Sequence, residues 1–143
     1  MQIVNEELRR FIPIAKARGF HCAFSVKRGD EPPKGAAFQM KKIKITVMKK
    51  IRHEDLIAEY ENPIENACDM EEGQIFIANG WQKPAGLCQS AWDSMSAFVL
   101  GLSHGAEDFY EGWMKNKKSA MISCNDGFRP VSFLVETLDE DAD

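Results

Sequence analysis

The sequence predicts an α+β fold: a small, mostly antiparallel sheet with a C-terminal β-hairpin and one main amphipathic helix packed on it. Three observations carry this. Lys42-Ile43-Lys44-Ile45-Thr46-Val47 alternates polar and apolar residues with the period of two that marks a half-buried strand. Two further alternating runs flank Asp126-Gly127, a pair suited to a tight hairpin turn. Between them, Cys88, Trp92, Met95, Val99 and Leu102 recur at intervals of three and four, with Leu87, Ala91 and Phe98 widening the stripe. Strand and helix patterns mix without a βαβ rhythm, which argues against a parallel sheet.

Taken in order, residues 1–39 read as an N-terminal extension or arm. VNEELRRFIPIAKAR has the pattern expected of a short amphipathic helix with Asn5 as cap, interrupted at Pro13, and RGDEPPKGAAFQ after it reads as a linker. This segment carries seven bases against four acids, opposite in sign to the remainder, so Met40 is either the natural start or the end of an arm that packs on the body or a partner. Residues 40–138 are predicted to be the compact domain. In it, His53 to Tyr60 forms a short helix closed by Asn62-Pro63, and Gln74 to Ala78 forms a second strand closed by Asn79-Gly80. The main helix follows Pro84. Ser90 and Asp93 have the spacing of a capping pair, and Gly101 and Gly105 are candidate stops. Residues 139–143 are predicted to be a mobile acidic tail.

Charge and composition exclude several classes. No apolar run reaches the roughly 18 residues of a membrane span, and the N-terminus lacks the layout of a secretory signal. The expected location is therefore cytoplasmic, where cysteines stay reduced. Of the twelve residues from Lys41 to Arg52 six are basic, whereas Glu54 to Glu72 holds eight acids and no base. With a net charge of −4, this layout describes complementary solvated faces rather than the unopposed basic surface that nucleic acid requires.

The hairpin raises the sharpest chemical question. A two-residue Asp126-Gly127 loop pairs Cys124 with Arg129, Ile122 with Val131 and Ala120 with Phe133, placing all the apolar partners on one face. Cys124 and Arg129 would then be cross-strand neighbours, and a guanidinium at that range favours the thiolate. Asp126 is an alternative partner for Arg129. Cys88, at the start of the main helix, lies where orphan amides stabilise an anion. Against both stands the plainer reading, since free cysteine is among the most often buried of residues.

The same residues carry a resemblance. Lys44-Ile45-Thr46-Val47, Asp55-Leu56 with Glu59-Tyr60, and Gly73-Gln74 before Phe76 are joined by Pro84, Gly86, Cys88 and Ala91-Trp92. Trp113-Met114, Cys124, Asp126-Gly127 and Arg129-Pro130-Val131 complete the set. Together they resemble a small uncharacterised prokaryotic family of roughly hundred-residue single-domain proteins, most specifically in the G-x-C-x-x-A-W and C-x-D-G-x-R-P-V stretches. The likeness runs from about Lys42 to Glu136, leaving His21 and Cys22 outside it. It implies a compact soluble domain and supplies no activity, substrate or cofactor.

Three functions compete. The first is a small soluble binding or interaction domain, with Trp81, Trp92 and Trp113 in its core and, in a homodimer, at its seam; its partner would be a small molecule or a protein, and it needs no cofactor. The second is a thiol-based enzyme, redox or nucleophilic, using Cys124 with Cys88, Arg129 and Asp126; His53 and His104 are the bases within the body. The third is a zinc or iron site built from Cys68, Cys88 and Cys124, although structural metal ligands usually come in close-spaced pairs and these do not. No phosphate loop, dinucleotide fingerprint, nucleophile elbow or H-E-x-x-H motif is present in the sequence. The binding domain is the preferred reading.

Overall fold

A computed structural model describes residues 38–143, so the predicted N-terminal helix, His21, Cys22 and all of the linker except Phe38 and Gln39 lie outside the described residues. The elements are β1 (Lys41–Lys50), α1 (Glu54–Tyr60), β2 (Ile75–Ala78), α2 (Gln89–Ser103), β3 (Ser119–Ser123) and β4 (Val131–Asp141). The four strands form one sheet in the order β2-β1-β4-β3, every neighbouring pair antiparallel. This is the expected α+β fold with its closing β3–β4 hairpin.

Alternation decides which face is buried. Ile43, Ile45 and Val47 of β1 point inward with Phe76 and Ala78 of β2, Val131, Phe133 and Val135 of β4, and Ala120 and Ile122 of β3. Against that face α2 lays Ala91, Met95, Val99 and Leu102, all almost fully buried, and Leu87 seals the entry to the helix. Burying such side chains is the main favourable term in folding. The opposite face carries Lys44, Thr46, Ile75, Ile77 and Met121, and no described helix covers it. Neither does α1 contribute a fully buried residue.

The capping differs from expectation. Helix α2 begins at Gln89 with Cys88 as N-cap, not at a Ser90 box; the Ser90 carbonyl accepts from the Ser94 hydroxyl, and Asp93 is held by the Gln89 amide. Gly101 does not stop the helix. It makes room for Phe109, whose ring carbon lies 2.7 Å from where a Cβ would stand. The stop is Gly105, at φ +83°, with Gly105 N–H on the Leu102 carbonyl (3.1 Å) and Ala106 N–H on the Gly101 carbonyl (2.9 Å), a Schellman closure.

Two further expectations are corrected. Residues 139–141 are the end of β4 rather than part of a free tail; Lys41 Nζ meets Asp141 at 2.6 Å and the Ala142 N–H donates to the Met40 carbonyl at 2.7 Å. Acid on β4 answers the lysines of β1, and pairing resumes at Lys41 opposite Asp141 beyond a bulge between Lys41 and Ile43. Trp81 and Trp113 are exposed, and Trp92 only half-buried, so the tryptophans do not make the core.

Phe133 is fully buried at the sheet centre, whereas Met121 stands on the open face. Phe133→Ala should therefore cost about 3–5 kcal/mol in urea unfolding, and Met121→Ala should stay within about 0.5 kcal/mol of wild type.

Candidate functional site

The hairpin register is shifted by two residues from the predicted one. Ile122 faces Phe133 and Ala120 faces Val135, so the apolar residues keep their buried face but the loop lengthens. Cys124 closes the ladder opposite Val131, not Arg129: its N–H donates to the Val131 carbonyl at 3.0 Å, and the Val131 N–H donates to its Sγ at 3.3 Å. The reason lies in the Asp126 side chain. Its Oδ1 accepts the N–H groups of Phe128 (2.8 Å) and Arg129 (3.0 Å), a local turn that needs no positive φ at Gly127.

Arg129 is committed elsewhere. Its guanidinium grips the Glu61 carboxylate with two hydrogen bonds, Nη1 to Oε1 at 2.6 Å and Nη2 to Oε2. Both side chains are nearly covered, 11% and 12% exposed. The Glu61 carboxyl is thereby held below the usual carboxylate range by the Arg129 hydrogen bonds, against the opposing pull of desolvation. The same loop passes the Phe128 carbonyl to His53 N–H (2.9 Å), the Pro130 carbonyl to Ile51 N–H (3.0 Å) and the Asn125 amide to the Ser90 carbonyl (3.4 Å). Residues 124–131 thus clasp the end of β1, the far end of α1 and the start of α2.

The thiols fare differently from one another. Cys124 and Cys68 are half-buried against the core, while Cys88 is exposed at the N-cap of α2 without a side-chain capping bond; all three are free. Among the described residues no three His, Cys, Asp or Glu side chains converge as metal ligands, so the alternative set of Cys68, Cys88 and Cys124 is not brought together. His104 stacks on Phe38 at 5.2 Å and bonds the Leu100 carbonyl at 2.8 Å, a helix-end role.

A different feature has the shape of a binding site. Trp92, Ser96 and Leu100 recur every fourth residue along the outer side of α2, and Trp81 and Lys83, just beyond β2, rise beside them. With Gln82 and Ala97 they line an open, shallow groove of about 600 Å³. Trp81 remains 55% and Leu100 46% exposed. Lys83 Nζ is steadied by Gln89 Oε1 at 3.0 Å. Sequence reasoning placed Trp92 in the core stripe and read Trp81 as core; one signal for the groove was the i, i+4, i+8 row of Trp92, Ser96 and Leu100 beside the true core row. Glu61 left no such signal, since it lies 68 positions from Arg129.

No protein-family profile, curated protein or solved structure matches the chain.

Because the folded carboxyl of Glu61 titrates below its unfolded value, the pair's contribution is present above the ordinary carboxylate pKa and is lost as pH falls through the lowered one. Glu61→Gln should lower the urea midpoint at pH 7, with the gap to wild type closing in acid. A gap that is constant down to pH of about 2 would contradict this role.

Proposed function

We propose that this chain is a small non-catalytic binding domain whose ligand seat is the groove between Trp81 and the outer side of α2. The observation that carries this reading is the pair of indoles, Trp81 and Trp92, set with Leu100 around an open space of about 600 Å³. That volume is in the range of small-molecule sites, roughly 300–1,000 Å³. Large apolar side chains left in water and gathered around a concavity mark a surface that gains by being covered. The polar groups are few: the Ser96 hydroxyl, the Gln82 amide and the Lys83 ammonium at the rim. A flat aromatic or apolar ligand bearing an anionic or acceptor group fits this chemistry, with the ring on the indoles and the acceptor at Lys83.

The thiol-enzyme reading has weaker support. Its activating cation is spent on Glu61, and the Cys124 sulfur accepts the Val131 N–H as part of the hairpin closure. Within the proposed domain Cys124, Asp126 and Arg129 serve to hold the 124–131 loop, and Cys88 opens the helix that carries the groove.

Anilinonaphthalene sulfonate is a suitable probe, because it joins a flat apolar ring system to one anion. It should bind saturably at one site, with affinity falling at least about tenfold in Trp81→Ala. Trp113→Ala, 85% exposed and outside the groove, should bind as wild type does. Equal affinity in Trp81→Ala and wild type would remove the groove as the seat.

A further inference from the structure

Strand β2 is an edge of the sheet, and its sequence Ile75-Phe76-Ile77-Ala78 has neither a charge nor a proline. Edges are normally blunted by such residues, because a bare row of N–H and C=O groups templates another strand. The phase of the β1–β2 ladder identifies the bare groups. Val47 N–H donates to the Gln74 carbonyl at 2.9 Å, and Gly73 N–H to the Val47 carbonyl at 2.8 Å. Bonded positions in an antiparallel ladder alternate, so they recur at Ile45 opposite Phe76 and at Ile43 opposite Ala78. Phe76 and Ala78 therefore direct their backbone groups at β1. Ile75 and Ile77 direct theirs outward, and no loop or turn hydrogen bond among the described residues reaches them. Their side chains stand on the open face, 57% and 46% exposed. The opposite edge is defended: Lys117 and Lys118 precede β3, and the Tyr110 hydroxyl donates to the Met121 carbonyl at 3.4 Å.

We propose that β2 pairs antiparallel with β2 of a second copy about a two-fold axis at Phe76, joining the two four-stranded sheets into one. The register follows from parity. Directly opposed residues share a face, so Ile75 must meet the partner's Ile77, and Phe76 the partner's Phe76. Each isoleucine then exchanges both backbone groups with its opposite number, and the exposed side chains cover one another. A slip of one residue would set Ile75 against Ala78, an open-face residue against a core-face one. A slip of two leaves one isoleucine of each strand outside the bonded pairs of Ile75–Ala78. Charge does not oppose the two-fold: the strand itself is uncharged, Glu72 accepts the Lys50 N–H at 2.8 Å, and Lys83 is held by Gln89 at 3.0 Å. Asp143, held near Asn79 by a 2.9 Å bond, is answered by Lys42 at 3.4 Å. The contact is short, which sets a dimer dissociating in the micromolar range rather than an obligate one.

Sedimentation of the full chain from about 1 µM to 1 mM should show monomer giving way to dimer. Ile77→Pro removes an N–H that β1 does not use, and Ile77→Lys puts a charge on the edge; both should stay monomeric, with folding checked by circular dichroism. Met121→Lys, on the same face but the other edge, should dimerise as wild type. Under mild oxidation, Ile75→Cys mixed with Ile77→Cys should form a covalent dimer beyond that of wild type or of either variant alone, because that bonded pair has the Cα spacing a disulfide accepts. A wild-type chain that is monomeric throughout, including one that instead captures an extended peptide, overturns the proposal. So does a dimer broken by Met121→Lys and untouched by both Ile77 variants.

Discussion

Everything else in this domain rests on the pairing of β1 with β4. The two strands are distant in sequence, Lys41 reaching Asp141 across 100 positions, yet they form the middle of the sheet. Their inward residues, Ile43, Ile45 and Val47 with Val131, Phe133 and Val135, are the floor on which α2 lies. Their charged residues settle the charge layout. Lys41, Lys42 and Lys44 find Asp141, Glu140, Asp143 and Glu136 at 2.6 to 3.9 Å. Exposed pairs of this kind contribute little stability each, but like charges across a strand pair would oppose the register. The basic run is thus neutralised chiefly by the end of the chain, not by the acidic stretch that follows it.

What could be read in advance was whatever repeats locally. The two-residue period in β1 and the three-and-four spacing in α2 name their own buried faces, and Met95, Val99 and Leu102 lie where the stripe predicts. At its N-terminal end the stripe misleads. Cys88 and Trp92 fit the spacing, but the helix starts only at Gln89, and its core row there runs through Ala91 instead. Size and apolar character point Trp81 and Trp113 inward, yet both are exposed, because position on a loop outweighs hydrophobicity when no neighbouring element closes over them.

The hairpin illustrates a subtler limit. Parity survives a two-residue slip, so the burial of Ile122, Val131 and Phe133 could be right while every partner was wrong. Asp-Gly suggests a tight turn through its backbone freedom, but Asp126 acts through its side chain, bonding Phe128 and Arg129. Once the loop is six residues wide, Arg129 swings away from Cys124 and toward Glu61. Long-range ion pairs of this sort have no local pattern. The hairpin residues that suggest thiol chemistry form instead the clasp that holds three elements together.

The arrangement of strands also bears on how the chain comes to be folded. During synthesis β1, α1, β2 and α2 all leave the ribosome before β4, although β4 lies between β1 and β3 in the finished sheet. Until it arrives, β1 has only the four-residue β2 beside it, and the apolar side of α2 has half a floor. A two-stranded ribbon is marginal in water, and pairing of such distant segments is slow. The nascent domain should accordingly remain open, with Met95, Val99 and Leu102 uncovered, and close in one late step when Val131–Asp141 slides into the gap.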